Sequence, residues 1–67
     1  MMELDVTAQD RKILGLLSHG MDQDAAARHL GLSHGAVVAR LRVLKVRLSA
    51  NSTTHLVAIA LRTKLIK

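Results

Sequence analysis

Apolar residues recur along this chain at steps of three and four, and short polar breaks interrupt them. The pattern predicts four short helices and no strand. Ile13, Leu14 and Leu17 form the first stripe. Thr7-Ala8-Gln9-Asp10 opens that helix. The Thr7 hydroxyl can cap the Asp10 amide, and the Asp10 carboxylate can reach back as in a capping box. Ser18-His19-Gly20 closes it, because glycine takes the left-handed conformation readily. Asp22 caps a second helix over residues 23–30, with Asp24 in the first turn, where the helix dipole favours an acid. The triplet Ala25-Ala26-Ala27 is strongly helical and small enough for another helix to come close. Gly31 stops this helix, Leu32 fills the core from the turn, and Ser33 caps a third helix from His34 to about Leu48. The loop Asn51-Ser52-Thr53-Thr54 precedes a fourth helix, from about Thr53 to Leu65.

The third helix carries the most information. At about 100° per residue, Val37, Leu41, Leu44 and Leu48 fall in one narrow stripe, which is the core face. Gly35, Ala39, Arg42 and Val46 lie opposite, flanked by Val38 and Lys45 on one side and Val43 on the other. A face that only needed solvation would carry long polar chains. Small and apolar groups around one arginine suit contact with a grooved, anionic surface, where Ala39 and Val38 can approach thymine methyls. The competing reading packs Val43 and Val46 on another subunit or on the fourth helix. That helix has two apolar sides: Leu56, Ile59, Ala60 and Thr63 on one, and Val57, Ala58, Leu61 and Leu65 on the other. The second side is a candidate dimer surface, and a broad core contact is its alternative.

Charge sharpens the picture. The chain has 67 residues and a formal net charge of +5. All five acids (Glu3, Asp5, Asp10, Asp22 and Asp24) lie before Ala25, whereas eight of the ten Lys and Arg residues follow it. A stretch from Ala25 to Lys67 without one carboxylate attracts polyanions. Nucleic acid is the first candidate and an anionic membrane surface the second. The absence of aromatic residues removes the base-stacking platforms of single-strand and RNA-binding modules. It also leaves a membrane-surface helix without its usual anchors. The absence of cysteine removes the disulfide, the cysteine-ligated zinc finger and the thiol nucleophile. A chain this short is expected to form one domain over residues 1–67, with 1–5 a disordered lead. It would bury only about 60% of its unfolded surface. No apolar run is long enough to cross a bilayer and no signal-peptide pattern opens the chain, so a cytoplasmic location is expected.

Four short helices, with a tight Gly-Leu-Ser turn before a basic third one, read as a helix-turn-helix. The chain resembles the LuxR-type (GerE-like) DNA-binding domain. The matching residues are Thr7-Ala8-Gln9-Asp10, Ile13-Leu14, Leu17, Gly20-Met21, Ala26-Ala27, Leu30-Gly31-Leu32-Ser33, Val37, Leu41, Arg47-Leu48, Thr54 through Ala60, and Leu65-Ile66. The resemblance covers Leu4 to Ile66. It implies an all-α, four-helix domain of a bacterial or phage transcriptional regulator acting at the nucleoid. Its third helix would lie in the major groove of double-stranded DNA, and its fourth would pair two subunits through Val57, Ala58, Leu61 and Leu65. By position, the base contacts fall on Val38, Ala39 and Arg42. Ser33 and His34 would touch phosphate, and Arg40, Lys45 and Arg47 would mostly hold phosphates. The family usually has lysine where this chain has Val38, threonine at Ala36, and glutamate-isoleucine at Ala25-Ala26. A basic or neutral residue usually stands at Asp24, and histidine is common at Arg40. Asp24 would repel phosphate and set the second helix farther from the duplex.

Val37-Val38-Ala39-Arg40-Leu41 also looks like the promoter-reading helix of sigma factor region 4, which has no counterpart for Thr54 to Ile66. That likeness supports an alternative, a protein-interaction module acting on the transcription machinery, such as RNA polymerase or another regulator. No sensor domain fits in this length, so the chain is either a stand-alone regulator or part of a larger one. No nucleophile-base-carboxylate set falls at a motif spacing and no phosphate-cradling glycine loop is present, so no enzyme, cofactor or metal is expected. His29 and His34 are five apart across a helix break, unlike the i, i+4 pair of a metal site. Protonation of His34 or His55 in mild acid would add positive charge and tighten DNA binding.

Overall fold

The computed structural model describes residues 6–66, so the expected disordered lead lies outside the described residues. Four helices are present: α1 (Ala8–Ser18), α2 (Gln23–Leu30), α3 (His34–Arg47) and α4 (Thr53–Arg62). No strand occurs among the described residues. Each helix begins with a side-chain oxygen on the third helical amide. Thr7 accepts from the Asp10 N–H, Asp22 from Ala25, Ser33 from Ala36 and Ser52 from His55. At α1 the box closes, because the Thr7 N–H donates back to the Asp10 carboxylate at 3.0 Å.

Each helix also ends alike, in a paired turn that returns two amides to the last carbonyls. After α1 the Met21 N–H reaches the Leu16 carbonyl and Gly20 that of Leu17; after α2, Leu32 reaches Ala27 and Gly31 reaches Arg28. The same pairs recur as Ala50 to Lys45 with Ser49 to Val46, and Leu65 to Ala60 with Lys64 to Leu61. The left-handed residue of the turn is Gly20 or Gly31 in the first two helices, but Ser49 (φ 57°) and Lys64 (φ 62°) in the last two. Without a glycine to mark it, the end of α4 is expected too late: the helix stops at Arg62, and Leu65 and Ile66 fold back. Burial drives that return, since Ile66 is only 8% exposed within the core.

The helices pack as a ring, α1 on α2, α2 on α3, α3 on α4 and α4 on α1. Ile13, Leu14, Ala27, Val37, Leu41, Leu44, Leu56, Ala60 and Ile66 fill its centre, with Leu17, Leu32, Leu48, Val57 and Leu65 packed around them. The leucines of α3 therefore face inward as their spacing requires. Two side-chain links join helices that are not neighbours in the ring. Gln23 Nε2 donates to Thr53 Oγ1 at 3.4 Å, between α2 and α4. Between α1 and α3, the Arg40 guanidinium grips Asp10, with Nε to Oδ1 at 2.9 Å and Nη2 to Oδ2 at 2.7 Å.

Asp10 has no exposure to solvent. Burial pushes its carboxyl up, but the Arg40 and Thr7 hydrogen bonds and the Arg40 charge outweigh it and hold Asp10 below the ordinary carboxylate range. The carboxylate in turn raises Arg40. Arg40→Met strands a buried charge and should lower stability by about 1–3 kcal/mol, less than for a fully enclosed pair because Arg40 is partly solvated. Because the folded value is depressed, this contribution is complete above the unfolded carboxylate pKa, about 3.9, and is lost as pH falls through the folded value. Urea melts of wild type and Asp10→Asn should differ by a constant amount down to about pH 5 and converge below about pH 4. A gap unchanged at pH 3 would contradict the pairing. At the helix ends, Gly31→Ala should cost about 1 kcal/mol and Ser49→Gly should gain about 0.5 kcal/mol. Opposite signs in the same urea assay would refute the turn assignment.

Candidate nucleic-acid interface

The outer side of α3 begins at its capped N-terminus. Ser33 is exposed, its hydroxyl engaged with the Ala36 N–H at 3.0 Å. His34, Gly35, Ala36, Ala39, Arg42, Val46 and Arg47 are exposed, and Val38, Val43 and Lys45 are half-buried. The side chain of Arg42 thus stands in solvent on the side opposite the leucine row. Among the described residues, neither Arg42 nor Lys45 has an ion-pair or hydrogen-bond partner. Arg42, Val43, Val46 and Arg47 line a shallow open depression on the C-terminal half of the helix.

Arg40 does not join this group. Expected on phosphate, its guanidinium is instead drawn to the opposite flank by Asp10, with both carboxylate oxygens engaged. A charge buried on α1 has the stronger claim on it, because that carboxylate would otherwise be stranded without solvent. Val46 also departs from one of its two expectations. It is 78% exposed and is not among the residues packed against the core that α4 shares. Val46 lies on the outward face where its spacing puts it, and the half-buried Val43 flanks it; both line the depression beside Arg42.

At the N-terminal end of α3, His34 Nδ1 lies 3.8 Å from Asp24 Oδ1, and Arg28 also pairs with Asp24. Asp24 is therefore paired with the Arg28 cation on its own helix, which lessens the phosphate repulsion expected of it. The two histidines expected to tune binding sit differently. A proton on His34 would face Asp24 and solvent, whereas His55 Nδ1 accepts the Asn51 N–H at 3.0 Å and would lose that bond on gaining a proton. His29 is exposed, and His19 Nδ1 bonds the Gly15 carbonyl at 2.7 Å. No group of three or more metal-ligating side chains occurs among the described residues, and no helix there is long and apolar enough to cross a membrane.

The expected dimer surface on α4 is only partly displayed. Val57 and Leu65 pack against the core of the monomer, and Leu65 belongs to the return turn rather than the helix. Ala58 and Leu61 remain exposed, Leu61 at 45%. No protein-family model, curated protein or solved structure gives a match to this chain.

Proposed function

We propose that this chain is a sequence-specific, double-stranded DNA-binding transcriptional regulator with a helix-turn-helix of LuxR (GerE) type. In this reading α2 and α3 form the motif, joined by Gly31-Leu32-Ser33, and α3 enters the major groove. The observation that carries it is Arg42: an unpartnered guanidinium on the solvent face of a helix whose leucines are all turned inward. That helix spans about 21 Å at 1.5 Å per residue and lies in a stretch with no acid. A major groove about 12 Å wide admits such a rod.

Arg42 would read a guanine through O6 and N7, a contact worth roughly 1–3 kcal/mol of discrimination. Lys45 and Arg47 would lie along phosphates, and the capped N-terminus at Ser33 and His34 would meet another phosphate. Val38 and Ala39 would touch the base edges without hydrogen bonding. Ala58 and Leu61, with Val57 and Leu65 behind them, would join two subunits, so that two copies of α3 read a repeated half-site. Neither a catalytic residue nor a cofactor enters this reading.

A second reading is supported by Val46, whose exposure between two arginines also suits an acidic, partly apolar protein surface such as one on the transcription machinery. Selection of bound sites from random duplexes, followed by sizing of the complex, separates the two. DNA recognition requires an enriched sequence and a defined stoichiometry. Equal competition by every duplex would favour the protein-binding alternative. On the enriched site, Arg42→Ala should flatten the sequence preference, while Lys45→Ala should weaken binding to all sequences alike. With about three phosphates neutralised per subunit, log K should fall with log salt at a slope of about −2.7. Normal operator binding by Arg42→Ala in a fluorescence titration would defeat the assignment.

A further inference from the structure

On a helix surface the neighbours of residue 42 are the residues three and four positions away, here Val38, Ala39, Lys45 and Val46. Three of these four carry only methyl groups. Ala39 is exposed, Val46 is 78% exposed and Val38 is half-buried. Gly35 and Ala36, one turn earlier on the exposed surface, also lack a side-chain donor or acceptor. Lys45 is set toward the edge of the face, about 60° from Arg42 around the helix axis. The centre of the surface therefore offers one forked hydrogen-bonding group set in aliphatic carbon.

Such a surface can distinguish few features of a base edge. The fork fits guanine O6 and N7. The only methyl group displayed on the edges of the standard bases in the major groove is the C5 methyl of thymine. Within the reading of α3 as the groove-entering helix, on which this inference rests, we propose that the half-site is a guanine flanked by pyrimidines bearing a C5 methyl. Arg42 takes the guanine, and Ala39 and Val46, with Val38 beside them, cover the methyls. Nothing in the aliphatic patch can donate or accept, so the exchange of thymine O4 for a cytosine amino group goes unread while the methyl is felt. 5-Methylcytosine is thus accepted in place of thymine, and unmethylated cytosine is bound more weakly. The ligand is a duplex with C5-methyl pyrimidines beside the guanine, and binding depends on methylation only where such a position is a cytosine.

The test uses the whole chain and the duplex enriched by selection, with affinity read by fluorescence anisotropy at one salt concentration. Replacing the flanking thymines by deoxyuridine removes only the methyls and should weaken binding about fourfold for each methyl that is covered. Replacing the same T·A pairs by C·G should weaken binding similarly or more, and 5-methylcytosine at those positions should restore most of the loss. In Ala39→Ser and Val46→Ser, exposed positions whose helix content circular dichroism can verify, the thymine-to-uracil ratio should shrink toward one. Uracil tolerated within a factor of two, on a site still bound at least tenfold over random duplex, would overturn the methyl inference and leave DNA recognition standing. An enriched site with no pyrimidine methyl beside its guanine would do the same. Equal binding to all duplexes, or none, would overturn both.

Discussion

A carboxylate wholly removed from water holds this fold in register. Asp10 closes the first turn of α1 through Thr7 and reaches across the ring to Arg40 on α3. Its three donors satisfy it, and no fully buried side-chain nitrogen or oxygen among the described residues lacks a partner. Apolar packing alone leaves a helix some freedom to roll about its axis. A bidentate pair does not, because the planar fork of arginine must meet both carboxylate oxygens. Fixing residue 40 on one flank of α3 fixes residue 42 as well, about 200° further round the same axis. The interaction that looks purely structural therefore aims the functional candidate. It also explains why Arg40 is drawn away from an outside anion and toward the interior of the ring.

The starts of α1, α2 and α3 were legible because a capping oxygen acts over three residues, a distance the sequence displays directly. Thr7, Asp22 and Ser33 each stand where the hydrogen bond needs them. The first two helix ends were legible for a similar reason, since Gly20 and Gly31 adopt the left-handed turn at little cost. The ends of α3 and α4 were harder to read. Ser49 and Lys64 are held in that conformation by the inward packing of their C-terminal neighbours, Ala50 after the one and Leu65 and Ile66 after the other. Tertiary burial decided the backbone there, and no local residue type announces it.

The candidate interface divides along the same line. The inward and outward sides of α3 follow from periodicity, so Leu41, Leu44 and Arg42 fall where their spacing puts them. The Asp10–Arg40 pair joins residues thirty apart, and nothing in either segment names the other. Both were assigned plausible local roles, one as a cap and one as a phosphate ligand, and only three-dimensional proximity reveals the shared one. Leu65 shows a related limit, because a wheel treats the last residues as a continued helix, whereas the chain turns after Arg62 and packs Leu65 against its own interior.

The ring order has a kinetic meaning. Three of the four helix contacts of the ring join elements consecutive in the chain, and α4 on α1 is the ring contact that joins elements far apart in it. Closing short loops costs little chain entropy, so the three sequential contacts can assemble from either end before the ring shuts. Small helical domains dominated by such near-neighbour contacts fold in microseconds to milliseconds. The last turn, with Ile66, seals the ring and depends on both ends being present. Opening at that seam would part α4 from α1 and leave the three sequential contacts in place.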